Sequence, residues 1–215
     1  MKLILDFDDV LFKAGDLKEV IFNTLASYGF ENVREFYDMA RKSDEPFSLR
    51  RFLYHVCEYK GADEAYPTVD VDTIYEEIMR VCPTLGNQEL ALLVKSVGKD
   101  NCYIVTNGDE EFQRDKIRRA GMDALVQEVY VVSGGKKEKI AEICKAFPLE
   151  EVIFVDDKNK FFVELDMEEC RNLKTVIYNE NGLENLKAEI EASRQQELSR
   201  EKEVHKQVPT EPKMR

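Results

Sequence analysis

Asp6, Asp8 and Asp9 follow directly on the apolar run Leu3, Ile4 and Leu5, and Val10, Leu11 and Phe12 come next. Three carboxylates this close between apolar residues repel one another unless a cation lies among them. In an extended segment side chains i and i+2 point the same way, so Asp6 and Asp8 share a face. Two aligned carboxylates at a strand end suit a hard divalent cation with oxygen ligands, such as Mg2+. A carboxylate oriented by a metal can act as a nucleophile towards phosphorus, and Asp6 is the candidate. Asp8 is placed to protonate a leaving alcohol and then to deprotonate an attacking water. The pair Asp156 and Asp157 ends a second apolar run, Val152 to Val155, and can complete a metal shell. Thr106, Asn107 and Gly108 end a third run, Cys102 to Val105, and offer a hydroxyl and backbone N–H groups to phosphoryl oxygens. Lys136 and Lys137 follow Gly134 and Gly135, and either supplies a fixed positive charge; Lys136, beside the glycine turn, is preferred. Taken singly each has a plainer reading: solvated acids, a helix cap at Thr106, surface charge at the lysines.

What must bring these residues together is an alternation of strands and helices. Short buried strands are expected at Leu3–Leu5, Cys102–Val105, Val129–Val132, Val152–Val155 and Thr175–Tyr178. Helices are expected from about 88 to 97, 109 to 120, 136 to 147 and 161 to 167, several closed by Gly or Pro. Such alternation predicts an α/β fold, a Rossmann-like parallel sheet with helices on both faces. Ligands in such sheets collect at the carboxyl ends of the strands, where all the residues above fall. Between the first strand and the rest lies a run of helical pattern: about 16 to 28, 33 to 41, 48 to 59 and 72 to 81, with a loop at 61 to 71. The expected organisation is therefore a core of residues 1–12 and 83–182, an inserted helical cap of residues 13–82, and a charged tail of residues 183–215. Leu183, Leu186 and Ile190 give the tail one docking face, and beyond Ser193 it is expected to fray into disorder.

With these motifs in hand, the sequence resembles the haloacid dehalogenase superfamily of phosphohydrolases. LILDFDDVLF matches the family's first motif, IVTNG its second, GGKKEKI its third and VIFVDD its fourth, all in family order between Lys2 and about Ile177. The resemblance implies Asp6 as nucleophile and metal ligand, and Asp8 as acid/base with its backbone carbonyl on the metal. It implies Asp157 as the direct acidic ligand of the fourth motif, with Asp156 supporting. Asp9 stands where the family frequently has Gly. The helical block matches the family's cap in position, and such caps close over the site and choose the substrate. The function implied is Mg2+-dependent hydrolysis of a small phosphorylated metabolite through an aspartyl phosphate.

Composition narrows the partners. The formal net charge is -12, from 43 Asp+Glu against 31 Lys+Arg, which argues against nonspecific binding to nucleic acid or an anionic membrane. No apolar stretch is long enough to span a bilayer. Cys57, Cys82, Cys102, Cys144 and Cys170 are scattered without a CxxC pair, so reduced thiols in a cytoplasmic protein are expected. His55 and His205 are too few for a histidine-built zinc site. Of the competing readings, a phosphomutase shares the aspartate pair, a dehalogenase lacks the second aspartate, and a response-regulator receiver would carry its acidic pair and acceptor in another order. A catalytically silent binding protein is the reading from outside the enzymes. Oligomeric state is not legible.

Overall fold

A computed structural model describes residues 1–61 and 70–207. Five parallel strands form one sheet: β1 (Lys2–Leu5), β2 (Cys102–Asn107), β3 (Glu128–Val132), β4 (Val152–Asp156) and β5 (Leu173–Ile177), in the order β3-β2-β1-β4-β5. The chain thus starts in the middle strand and builds outwards on both sides. That places a topological switch point at β1, where the crossovers diverge and leave a crevice beyond the strand ends. Leu5 stands abreast of Ile104 on β2 and Val155 on β4. One residue further on, Asp6 lies level with Asp156, and its N–H still donates to the Val155 carbonyl at 2.9 Å.

The three inner strands β1, β2 and β4 are buried on both faces, as their continuous apolar runs predict, while the edge strands β3 and β5 are partly exposed. Leu3, Leu5, Ile104 and Val155 point to one side, where α5 (Gln88–Val97), α6 (Glu110–Arg119) and α9 (Gly182–Gln207) pack through Leu90, Ile117 and Leu186. Ile4, Val105 and Phe154 point to the other, against α7 (Lys137–Ala146) and Phe161 of α8 (Asn159–Val163). The expected α/β architecture is the observed one. Helix α8 begins and ends earlier than periodicity indicated; residues 164–167 lie outside the helix, and among them Leu165 is buried.

Between β1 and β2 run α1 (Ala14–Ser27), α2 (Val33–Arg41), α3 (Leu49–Gly61) and α4 (Val71–Met79). Their apolar stripes face one another: Leu17, Ile21 and Leu25 of α1, Leu49 and Leu53 of α3, Ile74 and Ile78 of α4. They belong to the same continuous apolar cluster as Leu3 and Leu5, so the block does not carry a core of its own. The chain leaves for the block and returns from it at adjacent points, where Lys13 N–H donates to Leu85 O at 2.9 Å and Asn87 N–H to Leu11 O at 2.8 Å. Asp70 caps α4 by accepting from the N–H groups of Asp72 and Thr73. Of the loop expected at 61–71, residues 62–69 lie outside the described residues.

The tail differs from expectation. Helix α9 does not fray after Ser193 but continues to Gln207. Leu186 and Ile190 dock its first turns, as read from the sequence. Beyond them polar anchors take over: Ser193, buried, hydrogen-bonds Glu189 O and Glu151, and the chain's N-terminal ammonium meets Glu197 at 2.5 Å. Residues 208–215, with Pro209 and Pro212, lie outside the described residues. Among the described residues no helix is long and apolar enough to cross a membrane.

Candidate active site

The end of β1 turns at once into a tight loop. Phe7 O accepts from the N–H groups of Leu11 and Phe12 at 3.0 and 2.9 Å, and the Phe7 and Phe12 rings stack at 4.9 Å. Asp9 sits in this loop at φ 60°, the left-handed region that glycine occupies freely and Asp tolerates better than most residues. That conformation accounts for the Gly frequent at this position in the family the sequence resembles.

Asp6 is 3 % exposed. Its Oδ1 takes 2.8 Å contacts from Lys136 Nζ, which reaches Asp156 Oδ2 at 2.6 Å as well. Lys136 is itself buried, under the ring of Phe161 at 4.5 Å. Asp156, fully buried, also accepts from the backbone N–H of Lys158 at 2.8 Å. One carboxylate oxygen each of Asp6, Asp156 and Asp157 lies within 4.8 Å of the others. Three carboxylates and one ammonium leave this cluster formally at -2, a donor set of oxygens that fits a hard divalent cation. Burial pushes the Asp6 carboxyl up to about 6, and Asp156 adds to the rise while Lys136 opposes it. A cation at this place would offset that repulsion.

Asp8 shares the cavity but not the carboxylate cluster. Its Oδ2 accepts from Gln113 Nε2 at 2.8 Å and its Oδ1 from Lys116 Nζ at 2.5 Å, both on α6. Burial alone would raise its carboxyl; the ammonium of Lys116 and the amide of Gln113 outweigh it and hold the group below the usual carboxylate range. With 23 % of its side chain accessible, Asp8 still opens onto the cavity.

The remaining sequence candidates divide. Thr106, buried at the end of β2, lines the cavity with Asn107 and Gly108. The cap of α6 is Asp109, which accepts from Phe112 N–H at 3.0 Å, so the plainer reading of Thr106 as helix cap does not hold. The Gly108 N–H is engaged with Val132 O at 3.0 Å. Lys137 is exposed and off the cavity wall: it opens α7 one residue after Lys136, and a helical step turns it to solvent. Of the two lysines only Lys136 reaches the site. All five cysteines are free, and Cys102 and Cys144 are buried.

The cavity holds about 520 Å³ and runs from the carboxylates to the helical block, where Lys18, Tyr37, Arg41 and Phe47 form the far wall. Lys18 lies over the Tyr37 ring at 5.0 Å and Arg41 over the Phe47 ring at 5.7 Å. None of these four was singled out from sequence; a cap residue's place over a distant strand end leaves no trace in local pattern. Gln113 and Lys116 were missed as well, although a signal existed: both interrupt the inward stripe of α6 set by Phe112 and Ile117.

The same frame recurs in solved structures. A haloacid dehalogenase-like hydrolase from Burkholderia xenovorans superposes with a TM-score of 0.60 at 16 % identity, over 84 % of this chain and 86 % of that one. The chain carries the haloacid dehalogenase-like fold. Within this fold a β-phosphoglucomutase from Thermotoga maritima matches with a TM-score of 0.52 at 18 % identity, over 83 % and 87 % of the two chains. A dehalogenase matches at 0.51 and 13 % identity, over 84 % and 85 %. No protein-family model and no curated protein sequence matches the chain. Neighbours of the haloacid dehalogenase-like fold thus include more than one chemistry, and the choice among them falls to the site.

Proposed function

We propose that this protein is a Mg2+-dependent phosphatase that hydrolyses a small phosphorylated metabolite through an aspartyl phosphate on Asp6. The observation that carries the reading is the buried Asp6 carboxylate, held by Lys136 beside Asp156 and Asp157. Mg2+ bound by these three carboxylates would offset the charge repulsion between Asp6 and an anionic ester and stabilise charge on the transferring oxygens.

An Asp6 oxygen attacks phosphorus, the bond from phosphorus to the ester oxygen breaks, and the departing alkoxide takes a proton from Asp8. Asp8 has to bind that proton first, and an anionic ester entering beside it works in that direction, since a like charge raises the proton affinity that Lys116 and Gln113 hold down. Water then attacks the phosphoryl group and gives its proton back to Asp8. The bond between phosphorus and Asp6 breaks and inorganic phosphate leaves. Lys136 holds Asp6 in line, and Thr106 offers its hydroxyl to the phosphoryl oxygens. The helical block, as a cap of residues 13–82, excludes water and selects the alcohol portion.

The site built around Asp8 favours hydrolysis of an ester over dehalogenation, which needs neither a second aspartate nor three converging carboxylates. The test is release of inorganic phosphate from a panel of phosphorylated metabolites with Mg2+, with and without EDTA, for the native chain and Asp6→Asn. Expected are turnover that EDTA removes and Mg2+ restores, and none in Asp6→Asn. An isomerised sugar phosphate instead of free phosphate would make the protein a mutase. Turnover retained in Asp6→Asn would remove the nucleophile assignment.

A further inference from the structure

Helix α6 carries two buried polar side chains that the packing of the fold does not require. Gln113 is 4 % exposed and Lys116 is 3 % exposed. They stand three residues apart, on one face of the helix, and both point at Asp8. Between them they occupy both of its carboxylate oxygens, so neither rotation about the terminal bond nor a change of rotamer is free.

The surroundings make this arrangement expensive to keep. The Lys116 ammonium lies among the rings of Phe7, Phe12 and Phe112, at 5.5, 5.6 and 4.8 Å. These rings help to retain the cation through their faces, and Asp8 is its ion-pair partner among the described residues. Gln113 aims Nε2 at Asp8 and at Asn107 O, 3.1 Å away, which leaves its Oε1 buried with no partner. An unsatisfied buried carbonyl costs about 1–3 kcal/mol. Turning the amide over would satisfy neither end, because Oε1 would then face the Asp8 carboxylate. The backbone also makes room: a Cβ at residue 108 would come within 2.7 Å of Gln113 Nε2, so Gly108 is what admits the amide.

We propose that Gln113 and Lys116 are positioning residues that aim the Asp8 carboxylate at the ester oxygen. The proposal rests on Asp8 acting as the acid/base of the reaction above. Loss of aim should show where the leaving alcohol needs a proton and fade where it does not. An alkyl alcohol is a poor leaving group and nitrophenolate a good one.

The experiment measures kcat/KM, which reports the steps up to departure of the alcohol, for Lys116→Met with para-nitrophenyl phosphate and with the best alkyl phosphate of the metabolite panel. Expected is a fall of about 10-fold or more on the alkyl ester with less than about 3-fold on the aryl ester. Equal loss on the two esters, or no loss, would overturn the proposal. Gln113→Met, which leaves the ammonium in place, is measured in parallel and decides the matter if Lys116→Met does not fold. Asp8→Asn separates the two levels of the argument. If it shows the leaving-group split and neither α6 variant does, the positioning role fails alone. If it shows no split, the acid/base reading of Asp8 fails and takes the proposal with it.

Discussion

Asp6→Asn is expected to raise the stability of the metal-free protein while it removes turnover. In the folded chain burial carries the Asp6 carboxyl from 3.8 to about 6. Each unit corresponds to about 1.4 kcal/mol, so holding Asp6 ionised in the fold costs up to roughly 3 kcal/mol above pH 7. The sign follows from linkage. A raised folded-state value means that the folded chain binds the proton more tightly than the unfolded one. Stability from this group is complete below about pH 4 and is lost as pH climbs through about 6. Asparagine stands in for the protonated acid at every pH. Lys136 keeps Asp156 at 2.6 Å, so the substitution does not leave the ammonium alone. The gain of Asp6→Asn is thus near zero at pH 4 and approaches the full amount by pH 7.5. For a chain of this size that amounts to up to about 6–12 °C in Tm. The assay is thermal unfolding in EDTA at pH 4.5, 6 and 7.5, repeated with Mg2+. Addition of Mg2+ is expected to stabilise the native chain more than the variant, since the variant has lost one ligand. A variant no more stable than the native chain at pH 7.5 in EDTA, or a gain that does not vary with pH, would refute the charge argument.

Two further predictions concern the lysine pair and the shared core. Lys136→Met is expected to lower turnover by 10²-fold or more, on the order of a lost charge stabiliser, whereas Lys137→Ala leaves it unchanged; phosphate release compares them directly. Ile74→Ala in α4, at a fully buried position, is expected to destabilise the whole chain by about 2–5 kcal/mol in a single urea transition, because the helical block shares its apolar cluster with the sheet. A separate early transition would show the block melting by itself.

The sheet and the site were legible to different depths, for physical reasons. The three inner strands β1, β2 and β4 were marked by short apolar runs closed by a polar residue, because a strand buried on both faces tolerates little else; the edge strands β3 and β5 are less buried and were marked by β-branched and aromatic residues. The carboxylates, Thr106 and Lys136 were legible because parallel topology sends all strand ends to one rim, so sequence order was enough to gather them. Lys137 could not be told from Lys136 by type; one helical step decides which is inward. The length of α9 escaped because its middle turns are held by polar contacts from far along the chain, Glu151 to Ser193 and the N-terminal ammonium to Glu197, 196 residues away. Gln113 and Lys116 fall within the inward stripe of α6 between Phe112 and Ile117, but helical spacing alone does not say what a polar side chain on that stripe would meet. Their burial depends on Asp8, more than a hundred residues earlier.

That dependence also bears on how a chain of formal charge -12 could draw in an anionic ester. Charges beyond about 8 Å are screened at physiological ionic strength, so the cavity wall matters more than the total. Its cations are Lys18, Arg41, Lys116, Lys136, Lys158 and Lys160, against the acids Asp6, Asp8, Asp9, Asp38 and Glu45. Burial would lower the Lys158 pKa, yet Asp157 and Asp6 outweigh it and raise it, so this cation stays charged at the rim of the carboxylate cluster. The innermost cations face the carboxylates, while Lys18 and Arg41 lie across the cavity on aromatic rings and have no carboxylate partner among the described ion pairs. Across the cavity the cations thus change from ones without a carboxylate partner among the described ion pairs, at the helical wall, to ion-paired ones at the sheet. With Asp156 and Asp157 behind the wall, the charges around the cavity come close to balance, so an anion placed there would meet a field set by the few side chains within a Debye length of it rather than by the chain's total.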